Sequence, residues 1–199
     1  MKHVNVALFV PHAGCPHQCS FCNQKTISGS IKPLTPEDVT AACDIAKNGG
    51  VTRESSEIAF FGGSFTAVDR DYMVSLLEAA KPYIDGGYFG GIRISTRPDA
   101  IDDERLEILK KYHVTSIELG AQSMDDSVLK INRRGHTAKD VENASHLIKS
   151  YGFSLGLQMM TGLMGDTDEK CIKTAERLID LSPDTVRIYP TIVLENTPL

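Results

Sequence analysis

The stretch GIRISTRPDAIDDERLEILKKYHVTSIELGAQ, residues 91–122, decides the fold. GIRIST (91–96) reads as a strand. DDERLEILKKYH (102–113) reads as a helix, with acids at its start and lysines at its end, as the helix dipole favours. SIELGAQ (116–122) reads as the next strand. A strand, a helix and a strand in so short a span form a right-handed crossover between parallel strands.

The same alternation extends in both directions. HVNVALFV (3–10) is a first strand stopped by Pro11, and TPEDVTAACDIAKN (35–48) a helix that ends near Gly49-Gly50. SEIAFFG (56–62) is a second strand, followed by a helix over 69–84. Helices at 125–132 and 137–151 follow the fourth strand. FSLGLQMM (153–160) is the fifth strand, a helix spans 167–181, and TVRIYPTIV (185–193) is the sixth. Six β units with helical connections predict a parallel α/β sheet, either open or curved into a complete or partial barrel. No Pro/Gly/Ser-rich linker divides the 199 residues, so 1–199 reads as one domain. The series stops right after a strand, and we expect a fragment of a longer chain, or a core whose last covering helix is absent here.

Composition is that of an ordinary globular protein: 41% hydrophobic, 24% charged and a net charge of -5, with no run of like charge. That balance gives no sign of a general polyanion-binding surface, so nucleic acid is unsupported by the charge but not excluded, since a local basic patch is compatible with it. The N-terminal apolar run is too short and interrupted for a signal peptide, and no stretch approaches the length of a membrane span. The expectation is a cytoplasmic protein with no membrane partner. In that reducing compartment the clustered cysteines are expected to bind metal or do chemistry rather than form disulfides, and the odd count of five points the same way.

Chemistry in parallel α/β folds collects at the carboxyl ends of the strands. The unusual segments fall there: PHAGCPHQCSFCNQ (11–24), FGGSFT (61–66), STRPD (95–99), GAQS (120–123) and QMMTGLMGDT (158–167). Cys15, Cys19 and Cys22 have the spacing of thiolates wrapped round one centre. With His12 or His17 they would make a Cys3His zinc site. Holding a [4Fe–4S] cluster, they would leave one iron open. Cys43 and Cys171 lie in helices and read as core residues. Gln122 and Gln158 end strands that should be buried, so their amides need partners. RRGH (133–136) reads as a solvated loop unless an arginine turns inward.

The motif C-x3-C-x2-C in CPHQCSFCN, with an aromatic before the last cysteine, resembles that of the radical S-adenosylmethionine (SAM) superfamily. FFGGSFT, STRPDAI, IELGAQSMDDSVLKINRRGHT, MMTGLMGDT and RIYPTIVLENTPL are similar to the radical SAM core of the Elongator catalytic subunit family. They are less closely similar to oxygen-independent coproporphyrinogen oxidase. The resemblance runs in order through the whole chain. It implies a partial (β/α)6 TIM-type barrel in which Cys15, Cys19 and Cys22 hold three irons of a [4Fe–4S] cluster. SAM would chelate the fourth iron and be split to a 5′-deoxyadenosyl radical that takes hydrogen from a substrate.

By the same resemblance Phe21 packs beside the adenine, and the backbone at Gly62, Gly63 and Ser64 receives the methionyl amine. Gln122, Arg134 and Gln158 contact the ribose and carboxylate, and Ile188 and Tyr189 present backbone to the adenine. Ser64, Ser95 and Met164 depart from the residues common in relatives. The implied substrate is first a tRNA nucleoside, second a tetrapyrrole or other small molecule. The implied electron donor is a flavodoxin or ferredoxin. The alternative reading is a zinc-binding α/β module without radical chemistry.

Overall fold

The structure, a computed structural model, describes residues 4–10, 19–22, 32–193 and 197–199. Six strands form one sheet in chain order: β1 (Val4–Val10), β2 (Ser56–Gly62), β3 (Ile92–Thr96), β4 (Val114–Gln122), β5 (Ser154–Thr161) and β6 (Thr185–Pro190). Every neighbouring pair is parallel. The helices are α1 (Pro36–Asn48), α2 (Arg70–Asp85), α3 (Asp103–Lys111), α4 (Asp126–Ile131), α5 (Ala138–Ser150) and α6 (Asp168–Asp180). This is a curled half-barrel of the partial TIM type, with β1 and β6 as its edges among the described residues.

Each helix starts where a short side chain satisfies its first N–H groups. Thr35, Asp69, Asp102, Asp125, Thr137 and Thr167 all accept from backbone donors of the first turn. Such a cap stabilises a helix by about 1 kcal/mol. Alternate strand residues, such as Ile58 and Phe60 or Ile92 and Ile94, are fully buried in the core that the helices cover. The intervening residues line the inside of the curl. Glu57, Arg93, Glu118, Gln158 and Arg187 belong to that inner set. Glu57 pairs with Arg93 at 3.0 Å, and Arg187 Nε lies 3.1 Å from Glu118 Oε2.

Three expectations need correcting. β6 ends at Pro190, not at 193, because its partner β5 stops at Thr161, before Gly162 turns away with φ +76°. β4 begins two residues earlier than expected, at Val114, directly after the left-handed turn at His113. Cys43 is fully buried as expected, but Cys171 is only half-buried and its thiol donates to Asp166 Oδ2 at 2.9 Å. On β6 the outward Val186 and Ile188 are exposed.

Candidate cofactor site

The site is assembled at the carboxyl ends of the strands. Cys19 is buried and Cys22 half-buried, joined by a turn in which Cys22 N–H donates to Cys19 O at 3.2 Å. Cys15, with the histidines considered as zinc ligands, lies outside the described residues. Among the described residues no three His, Cys, Asp or Glu side chains converge.

The turn sits on the segment between α4 and α5. Ser20 N–H donates to Asn132 O at 3.1 Å, and Ser20 Oγ to Asn132 Oδ1 at 2.7 Å. Asn132 Nδ2 in turn donates to Val128 O and Met164 O, which ties the cysteine turn to the loop after β5. Two residues on, Arg134 points inward and is 6% exposed. Its Nη1 donates to Cys19 Sγ at 3.2 Å and its Nη2 to Gly120 O at 2.6 Å. The guanidinium carbon stands 5.9 Å from the Phe21 ring centre, the outer limit of a cation–π contact. Its Nε is buried with no hydrogen-bond partner.

The end of β4 brings the two amides together. Two residues of β4 oppose one of β5 between Gly120 and Gln122, and Gln122 takes φ +68°. A non-glycine residue in that region is strained, as active-site backbone often is. Gln158 Nε2 then donates to Gln122 Oε1 at 3.3 Å. Gly120 makes room, since a Cβ there would lie 2.9 Å from Gln122 Nε2 and 3.4 Å from Arg134 Nη2.

After β2 the glycines are needed for close approach. Gly62 has φ +110°, and a Cβ on it would stand 2.5 Å from Val10 O. Gly63 N–H is spent on that same carbonyl at 3.1 Å. The Ser64 hydroxyl is buried, 2.8 Å from Thr96 Oγ1 and accepting from Arg97 N–H. The Gly63 N–H, the Ser64 hydroxyl and the Ser64 carbonyl, which accepts from Ala67 N–H at 3.0 Å, are thus all engaged within the protein. Tyr189, on β6 and in register with Met160 of β5, is 41% exposed, unlike the buried residues around Arg134.

Sequence reading missed three residues here. Arg97 is 3% exposed, holds Asp99 through Nε and Nη2, and also donates to Arg134 O. Asn132 is fully buried. His136 meets Ala121 O at 3.1 Å, while burial, then the nearby Arg134, pushes its pKa down to about 4. The sequence signal was faint: Asn132, Arg134 and His136 fall at every second position, and the left-handed turns at Arg133 and Gly135 between them leave all three buried.

These residues suit a sulfur-ligated cluster with an anionic ligand beside it. A buried thiol meets a guanidinium, and that guanidinium retains one unpartnered donor. The sequence matches the Radical SAM superfamily over residues 9–178. The chain belongs to the radical SAM superfamily. It is accordingly an enzyme, with a [4Fe–4S] cluster and SAM as its cofactors. The radical SAM chain is 26% identical over 230 residues to tRNA uridine(34) acetyltransferase of Dehalococcoides mccartyi, covering 98% of itself and 50% of that protein. It is 30% identical over 170 residues to human Elongator complex protein 3, covering 75% and 31%. Coproporphyrinogen III oxidase (HemN) of Escherichia coli shares the fold with a TM-score of 0.69 at 16% identity, covering 97% of this chain and 45% of that one. The chain spans half or less of the length of the curated relatives it matches first. No helix among the described residues is long and apolar enough to cross a membrane.

Proposed function

We propose that residues 1–199 form one radical SAM core that cleaves SAM reductively and takes a hydrogen atom from a nucleoside in tRNA. The observation that carries the reading is Arg134, whose guanidinium joins the Cys19 sulfur to the end of β4 and keeps Nε uncommitted. When bound, the reduced cluster and SAM would supply the 5′-deoxyadenosyl radical. Cys15, Cys19 and Cys22 would hold the cluster, and Arg134 would take the SAM carboxylate. Backbone at Gly62, Gly63 and Ser64 would receive the amine, Gln122 and Gln158 the ribose hydroxyls, Phe21 would pack beside the adenine, and Ile188 and Tyr189 would present backbone to it. The inner wall beyond them carries Glu57, Arg93, Glu118 and Arg187, charged groups that would face a polar substrate. Glu118 there is 3% exposed, and burial raises its pKa against the opposing pull of Arg187 and Arg93.

Relatives named for tRNA uridine modification support the nucleoside. A tetrapyrrole or other small molecule is the second substrate class, and a flavodoxin or ferredoxin would deliver the electron. The test is anaerobic reconstitution with iron and sulfide, then dithionite and SAM, with and without bulk tRNA, and chromatography for 5′-deoxyadenosine. Product from wild type, increased by tRNA and lost in Cys19→Ala, is expected. Uptake of zinc without labile sulfide would sink the reading and favour the zinc module. Product indifferent to tRNA would overturn the substrate only.

A further inference from the structure

We propose that Arg134 also sets the reduction potential of the cluster, through an N–H···S hydrogen bond to Cys19. This rests on the radical SAM reading and assigns the arginine a role distinct from holding SAM. Its guanidinium is held by Nη2 on Gly120 O with the Phe21 ring 5.9 Å away, and its backbone is held where the carbonyl oxygen accepts from Arg97. With rotation so restricted, Nη1 is aimed at Cys19 Sγ, 3.2 Å away. The sulfur is held in place from the other direction. Asn132 grips Ser20, the next residue, through its own carbonyl and its side-chain oxygen. One short segment thus holds three consecutive residues of the cysteine turn.

Hydrogen bonds to ligating sulfurs are among the levers that set an iron–sulfur potential, because they draw charge from the sulfur and favour the more negative, reduced cluster. A guanidinium fork can serve Sγ, a carbonyl and a carboxylate with separate N–H groups. A lysine ammonium is a point charge on a flexible stem and does not share that geometry. The bond should raise the potential and ease the one-electron reduction that dithionite or a protein donor performs.

The experiment compares wild type, Arg134→Lys, Arg134→Gln and Arg133→Gln. Each is reconstituted anaerobically and titrated potentiometrically by electron paramagnetic resonance with no SAM present. Arg133 is the exposed neighbour, so its variant removes a nearby charge without touching the sulfur. At the wild-type midpoint, Arg134→Gln should show about a tenfold lower ratio of reduced to oxidised cluster, about 59 mV for a one-electron couple. Arg134→Lys should fall in the same direction by less, and Arg133→Gln should stay at the wild-type value. Arg134 variants with full iron and sulfide and an unchanged midpoint would overturn the inference. So would an equal shift from Arg133→Gln. If Arg134→Gln does not assemble a cluster, the lysine variant decides by the same criterion. Failure of the wild type to take up iron and sulfide would instead strike the proposed function.

Discussion

Asn132 offers the sharpest test of how the cysteine turn is held. Its side chain is fully buried, accepts from Ser20 Oγ at 2.7 Å, and donates to Val128 O at 2.8 Å and Met164 O at 2.9 Å. Asn132→Ala removes all three bonds. Val128 O keeps the backbone N–H of residue 132, but the Ser20 hydroxyl, 1% exposed, and Met164 O lose a partner. A buried polar group left unpaired costs about 1–3 kcal/mol, so a loss of about 3 kcal/mol follows. For a chain of this size that lowers the melting temperature by about 6–12 °C. Asn132→Asp keeps the shape and the bond from Ser20, yet directs a carboxylate oxygen at two carbonyl oxygens. It should be at least as unstable as Asn132→Ala at neutral pH and recover partly in acid, as the carboxyl takes up a proton. Ser20→Ala in the Asn132→Ala background should cost less than it does alone, since the pair is then already broken. Guanidinium chloride unfolding of the apoenzyme, followed by circular dichroism, reads these differences as midpoint shifts at constant m. A cost below about 1 kcal/mol for Asn132→Ala, or an aspartate variant as stable as wild type at neutral pH, would refute the reasoning.

Two further outcomes follow from the same region. His136 ordinarily titrates at 6.5 and is held to about 4 in the fold, by burial first and then by Arg134. Between those values the unfolded chain takes a proton that the folded one refuses. Stability should therefore be full above pH 6.5 and decline by about 3 kcal/mol as pH falls to 4, and His136→Gln should lack that component of the pH profile. At Gln122, with φ +68°, the variants should rank by backbone rather than by size. Gln122→Gly should be about 1 kcal/mol more stable than Gln122→Ala, and equal or reversed stabilities in thermal unfolding would show that the turn carries no strain.

The strands and helices were legible because their signals are local. Thr35 with Pro36 and Asp38, and Asp102 before an acidic turn, announce helix starts whatever surrounds them. Strand ends were less legible, because a strand is as long as its neighbour allows. The apolar residues after Pro190 look like strand, yet pairing stops with β5. The cysteine spacing was readable since chelation constrains spacing directly. Arg97, Asn132 and His136 were not, because nothing in a polar loop announces burial that only distant contacts create. Asn132 acquires its role from Ser20, 112 residues away in sequence, and from Met164, 32 away.

The two faces of each strand have opposite duties, and that division explains the composition of the sheet. In a closed parallel barrel, Val, Ile and Leu fill the interior. Here the inner positions include Glu57, Arg93, Glu118 and Arg187, with Gly120 and Gly156 among them. At Gly156 a Cβ would lie 3.0 Å from Thr185 Oγ1 and 3.4 Å from Glu118 Cγ, so this glycine clears space for polar side chains as Gly120 does. Buried ion pairs contribute little net stability, because desolvation offsets their attraction. The inner wall is therefore not what holds the protein together. Stability comes from the outer apolar set, and register must be kept strictly, since a slip of one residue would exchange the two faces. The local departure in β4 between Gly120 and Gln122 keeps Ala121 in the outer core while bringing the Gln122 amide to Gln158. The irregularity that costs the ladder a pairing is also what places an amide at the mouth of the half-barrel, beside the arginine that reaches Cys19.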